Sequence, residues 1–171
     1  MTQIDIARLL TTSTGKQLLQ SYNASQAGDI KQEIETSIQA LILFQAGMEA
    51  VINEEIGNHP LLAAVKAEDE KLNSSYKSLS FKNKWKKSYE ALQIFEYDYL
   101  NEYLRFYSQY RIQITHPKQR YMSLSKYRFN RIYDGIENGW YAMQLLYAVL
   151  GKELTSWEEY CKEHSILFPN T

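Results

Sequence analysis

The run between Gly28 and Pro60 constrains this chain more than any other stretch. It contains no proline, and Ile34, Ile38, Leu41, Ile42, Met48, Ile52 and Ile56 fall along one helical stripe. That is the pattern of a helix that buries one face. Asp29 stands where a side chain can cap the free amides of a first turn, and Gly57-Asn58-His59-Pro60 stops the pattern, so the spacing predicts a helix from about Ile30 to Ile56. A helix this long carries its apolar stripe along its whole length and needs long neighbours to cover it.

The rest of the chain supplies them. A helical stretch runs from about Leu61 to Lys71 and breaks at Asn73-Ser74-Ser75. A third begins after Ser80, where SFKNKWKKSYEAL sets Phe81, Trp85 and Tyr89 at four-residue steps and spreads Lys82, Lys84, Lys86 and Lys87 around the other faces. Phe95, Tyr99, Tyr103, Phe106 and Tyr110 then share one face of a segment ending near Arg111. Pro117 pushes His116 out of helical geometry and bends the chain. From about Ser125 to Leu150, Ile132, Ile136, Trp140, Met143, Tyr147 and Leu150 mark the second long helix, with Gly151 at its C-terminal cap. Thr155-Ser156-Trp157-Glu158 opens a short last helix in a capping-box pattern. With three prolines, seven glycines and no strict alternation of β-branched residues, no sheet is expected. The fold expected is all-α: an up-and-down four- to five-helix bundle with additional short helices, in one domain over residues 1–171.

Composition narrows the partners. A hydrophobic content of 44% and a charged content of 23% are values of a chain that folds. The single cysteine, Cys161, allows no internal disulfide and no cysteine zinc cluster. MTQIDIARLLTTSTGK lacks the basic-then-apolar order of a leader, and no window approaches the roughly 20 apolar residues of a membrane span. A cytoplasmic protein without membrane contact is expected. The net charge of −1 argues against a wholly basic nucleic-acid surface but leaves room for a local patch.

Glycine-rich phosphate loops, His-Glu-x-x-His and paired Glu-x-x-His are all missing from the sequence, so neither cofactor nor metal is expected. His59 and His164 read as surface residues. His116, five residues after Arg111 and behind the densest aromatic face, is the exception. Imidazole can move a proton near neutral pH, and guanidinium can hold a phosphate oxygen in a fixed fork. The pair could therefore cut RNA without a metal, or it could be an exposed arginine beside a histidine at a helix end. Gln45 and Glu49 interrupt the stripe traced by positions 38, 42, 45, 49, 52 and 56. Glu49 is then either a group that orients Arg111 or tunes His116, or a structural carboxylate paired with a cation or reaching water. Lys118, Arg120, Lys126, Arg128 and Arg131 form either a groove that tracks phosphates or a solvated face. The tyrosines, 14 in number, read as core more than as base-stacking platforms.

Arg111-Ile112-Gln113-Ile114-Thr115-His116, near the start of the last long helix of a small all-helical bundle, resembles the Arg-x4-6-His signature of the HEPN superfamily, many of whose members are metal-independent ribonucleases. FQAGMEAVINEEI is similar to the segment in which such proteins place a Glu followed four residues later by an Asn, here Glu49 and Asn53, and KNKWKK is similar to a Lys-x-x-Lys helix of some members. The resemblance spans roughly residues 30–150. It implies a homodimer in which two Arg-His pairs face one another and cleave RNA, with Arg111 and His116 catalytic and Glu49 and Asn53 supporting them. The family's arginine is usually followed by a polar residue, and here Ile112 follows it. The alternative is a non-catalytic module that dimerises or binds a partner protein.

Overall fold

The first element has almost no apolar stripe to announce it. In the computed structural model, which describes residues 5–111, 114 and 123–166, helix α1 (Ile6–Ala27) buries Thr14, Gly15, Leu18, Ser21 and Ala24. Hydroxyls replace methyls on that face. Thr14 donates to the Leu10 carbonyl at 2.9 Å, and Ser21 donates to the Glu33 carbonyl at 3.1 Å and meets the Ser37 hydroxyl. These buried hydroxyls each have a partner, so small residues let two backbones approach closely without leaving their donors orphaned. Gly28 ends α1 in the left-handed region at φ 74°, and Asp29 accepts the Gln32 amide at 3.0 Å to open α2 (Ile30–Asn58). A two-residue link folds α2 back antiparallel along α1.

Covered by α1 on one side and by later helices on another, α2 buries a wider arc than a single stripe. Ile34, Leu41, Phe44, Met48, Val51 and Ile52 are buried, whereas Ile42 from the expected stripe is 37% exposed. Pro60–Leu62 forms a 3-10 turn, capped by the His59 imidazole accepting the Leu61 amide. Helices α3 (Ala63–Asn73), α4 (Phe81–Ala91) and α5 (Asp98–Phe106) follow. Ser80 caps α4, and Trp85 and Tyr89 lie at 0% exposure, as their spacing predicts. The expected aromatic run does not begin at Phe95. The chain leaves its helix at Leu92, Gln93 turns with φ 54°, and Phe95 is 85% exposed.

Helix α6 (Phe129–Val149) is preceded by a 3-10 turn at Leu124–Tyr127, which takes up the start of the expected Ser125–Leu150 helix. The buried Glu33 carboxylate accepts the Phe129 amide at 2.8 Å and the Arg128 Nε at 2.8 Å, so a side chain from the first turn of α2 caps α6. Close approach elsewhere depends on Gly135 and Gly139. A Cβ at Gly139 would stand 2.5 Å from the Phe44 ring and 2.7 Å from that of Tyr103, and one at Gly135 would meet Phe106. Helix α7 (Trp157–Glu163) starts with a capping box one residue later than expected, Ser156 with Glu159 in place of Thr155 with Glu158. The fold is an all-α bundle in which three long helices, α1, α2 and α6, carry shorter ones between them, and the described residues contain no strand.

Candidate functional site

After α5 the chain does not continue as a regular helix. Tyr107–Arg111 widens into a π turn, a distortion that re-aims side chains and recurs at functional positions. Phe106 at its edge packs on Gly135, and Tyr127 donates to the Tyr110 carbonyl at 3.5 Å. The turn is thus held from two sides, and it carries half-buried Arg111.

A polar chain leads from the core to this turn. The Tyr103 hydroxyl, fully buried, donates to Gln45 Oε1 at 2.6 Å, and Gln45 Nε2 donates to Glu49 Oε1 at 3.2 Å. Gln45 interrupts the apolar stripe because Tyr103 needs an acceptor there, and Glu49 is exposed one turn further on. Burial pushes the Tyr103 hydroxyl well above its usual range, with the Tyr107 hydroxyl and the Glu49 carboxylate adding to it and the Arg111 guanidinium opposing. Tyr107 is raised by burial and Glu49, again with Arg111 working against them. Both phenols therefore stay protonated at neutral pH. Glu49 and Arg111 share one electrostatic neighbourhood around two tyrosines that can donate hydrogen bonds. Sequence reasoning did not single out Tyr107, although Tyr103, Tyr107 and Arg111 lie at four-residue steps.

Asn53, one turn beyond Glu49, accepts Lys84 Nζ at 2.9 Å, and the same ammonium pairs with Asp69 at 3.1 Å. Lys87 pairs with Glu68 at 2.9 Å. Two lysines of the basic helix thus tie α4 to α2 and α3. In the basic cluster, Lys126 lies over the Tyr127 ring at 5.3 Å and the Tyr110 ring at 5.9 Å, beside the turn that carries Arg111. Arg128 is joined to Glu33, and Arg131 is exposed. His116, Lys118 and Arg120 lie outside the described residues, as does Ile112. Of the other histidines, His59 caps its turn, and half-buried His164 packs against Gly15 and donates from Nδ1 to the Tyr160 carbonyl at 2.9 Å.

A guanidinium, an exposed carboxylate and two protonated phenols can together bind an anion and orient a donor, but proton transfer near neutral pH needs an imidazole as well. Cys161 is a poor nucleophile, because burial raises its thiol to about 11. Among the described residues no group of three or more His, Cys, Asp or Glu side chains could hold a metal ion, and no helix is long and apolar enough to cross a membrane. Set against known protein families, characterised proteins and solved structures, the chain matches none.

Proposed function

We propose that this chain is a HEPN-like domain that cleaves RNA without a metal, as a homodimer in which Arg111 and His116 of each subunit form the working pair. The observation that supports the reading is the position of Arg111, on a π turn within the electrostatic reach of Glu49 and of the Tyr103 and Tyr107 hydroxyls. In the proposed reaction His116 takes the proton from a ribose 2′-hydroxyl, whose oxygen attacks the adjacent phosphorus. The bond to the 5′-oxygen breaks, that oxygen is protonated by imidazolium, and a 2′,3′-cyclic phosphate remains. Arg111 holds the negative charge that gathers on the non-bridging oxygens, where a fixed charged donor stabilises the transition state most. Lys126 and Arg131, with Lys118, Arg120 and the partly committed Arg128, track the flanking phosphates.

The test is incubation of the purified chain with RNA in EDTA, with analysis of product ends and solution mass. The reading expects a dimer, cyclic-phosphate ends, and loss of cleavage in Arg111→Ala and in His116→Ala. Intact RNA, or variants that cleave as fast as wild type, would reject catalysis in favour of a non-catalytic dimerisation or protein-binding module.

A further inference from the structure

Sharing no residue with the tyrosine site, the start of α1, the last turns of α2 and α6, and α7 enclose a cleft of about 650 Å³, within the range of small-molecule sites. Beneath it lie Val51, Met143, Trp140 and Tyr160, each at most 3% exposed, and the apolar surface it offers comes from half-buried Ala7, Tyr147 and Leu154. Around it stand five carboxylates, Asp5, Glu54, Glu55, Glu153 and Glu163, against the permanent cations Arg8 and Lys152. Among the described residues no cation pairs with Glu54, Glu153 or Glu163. Tyr147 on the same wall reports the field. Its hydroxyl is pushed far up by burial and then by Glu55, Glu54 and Asp5.

The cleft already holds an ammonium group, and the backbone puts it there. Gly151, at φ 70°, ends α6 by a reversal in which the Lys152 amide donates to the Tyr147 carbonyl at 2.9 Å. The Lys152 side chain then folds back, so that its ammonium donates to Glu55 Oε1 and lies 5.6 Å from the centre of the Tyr147 ring. Glu55 is 1% exposed, and a carboxylate so buried is tolerated only with such a partner. A carboxylate with an aromatic face beside it is the recognition pattern of an alkylammonium. The cleft uses that pattern once on its own lysine and leaves four further carboxylates around it, of which Asp5 accepts the Arg8 amide and Glu54, Glu153 and Glu163 have no cation among the described residues.

We propose that this cleft binds a linear aliphatic polyamine, with its methylenes along Ala7, Tyr147 and Leu154 and its ammonium groups on Glu54, Glu153 and Glu163. The site is separate from the arginine site and does not depend on any activity there.

The test is calorimetric titration of the full chain with spermidine, with magnesium chloride at matched ionic strength as control. One saturable site per chain is expected for spermidine and none for magnesium. The double variant Glu54→Gln/Glu153→Gln, which alters only exposed side chains, should bind about three- to tenfold more weakly at unchanged Tm, since each exposed pair is worth little by itself. In Lys152→Ala, which strands Glu55, propylamine should restore the lost Tm saturably, and sodium chloride at the same ionic strength should not. The proposal is overturned if spermidine gives no saturable heat, if magnesium matches it, or if the double variant binds as tightly as wild type.

Discussion

Replacing Tyr103 by Phe removes one oxygen from the core and tests the polar chain that reaches Glu49. The Tyr103 hydroxyl donates to Gln45 Oε1 at 2.6 Å, and both side chains are at most 1% exposed. Without the donor, Gln45 Oε1 stays buried and loses its partner, and stranding a neutral acceptor costs about 1–3 kcal/mol. The ring itself still fills its place between Phe44 and Gly139, so no packing loss adds to this. For a chain of this length about 2 kcal/mol lowers Tm by roughly 4–8 °C. Thermal unfolding of Tyr103→Phe, Gln45→Met and the double variant measures it as a cycle. The double variant should cost clearly less than the two single ones combined, because it removes donor and acceptor together. If Tyr103→Phe melts within about 1 °C of wild type and the cycle is additive, the chain from Tyr103 to Glu49 is not held as described.

Gly139→Ala should cost about 1–3 kcal/mol in chemical unfolding, because the new methyl meets the Phe44 and Tyr103 rings at 2.5 and 2.7 Å and these two buried rings, from α2 and α5, pack against each other. Glu137 has its carboxyl raised first by burial and then by Asp134 and Glu158. A carboxyl with a folded pKa above its unfolded one costs stability while charged, and ceases to as the pH falls through the folded value. Glu137→Gln should therefore raise Tm at neutral pH, with the gain vanishing below the usual glutamate range. A gain that persists there would place its origin elsewhere. Glu33→Ala removes the cap on α6 and should cost about 1 kcal/mol through the lost Phe129 bond, with faster amide exchange in the first turn of α6 as its signature.

Elements with strong local signals were legible in the sequence. Asp29, Ser80 and Gly151 each end or begin a helix where their residue type predicts, and Trp85, Tyr89, Ile132, Ile136 and Met143 are buried on the faces their spacing defines. Helix α1 was hidden because, Leu18 apart, its buried face is Thr14, Gly15, Ser21 and Ala24: Thr14 bonds within its own helix, Ser21 bonds to α2, and the other two are simply small, so none registers as a hydrophobic stripe. The important carboxylates of α2 were hidden for a related reason. Glu33 and Glu55 are buried through partners about a hundred residues away, Arg128, Phe129 and Lys152, while Glu49, which stood out as a break in the stripe, is exposed. The π turn at Tyr107–Arg111 depends on packing against Gly135 and Tyr127, which no local pattern encodes. Arg111 is a candidate from its spacing to His116 in the sequence, while its electrostatic link to Tyr103 and Tyr107 came from the fold.

The central claim is that Arg111 stabilises the transition state of RNA cleavage, and the most direct measurement compares single-turnover cleavage in EDTA by wild type, Arg111→Lys and Arg111→Ala matched for Tm. The account predicts a fall of about 10²–10³-fold in Arg111→Ala, with Arg111→Lys recovering little of it because an ammonium cannot reproduce the fork. Equal rates in all three, or no cleavage by wild type, would contradict it.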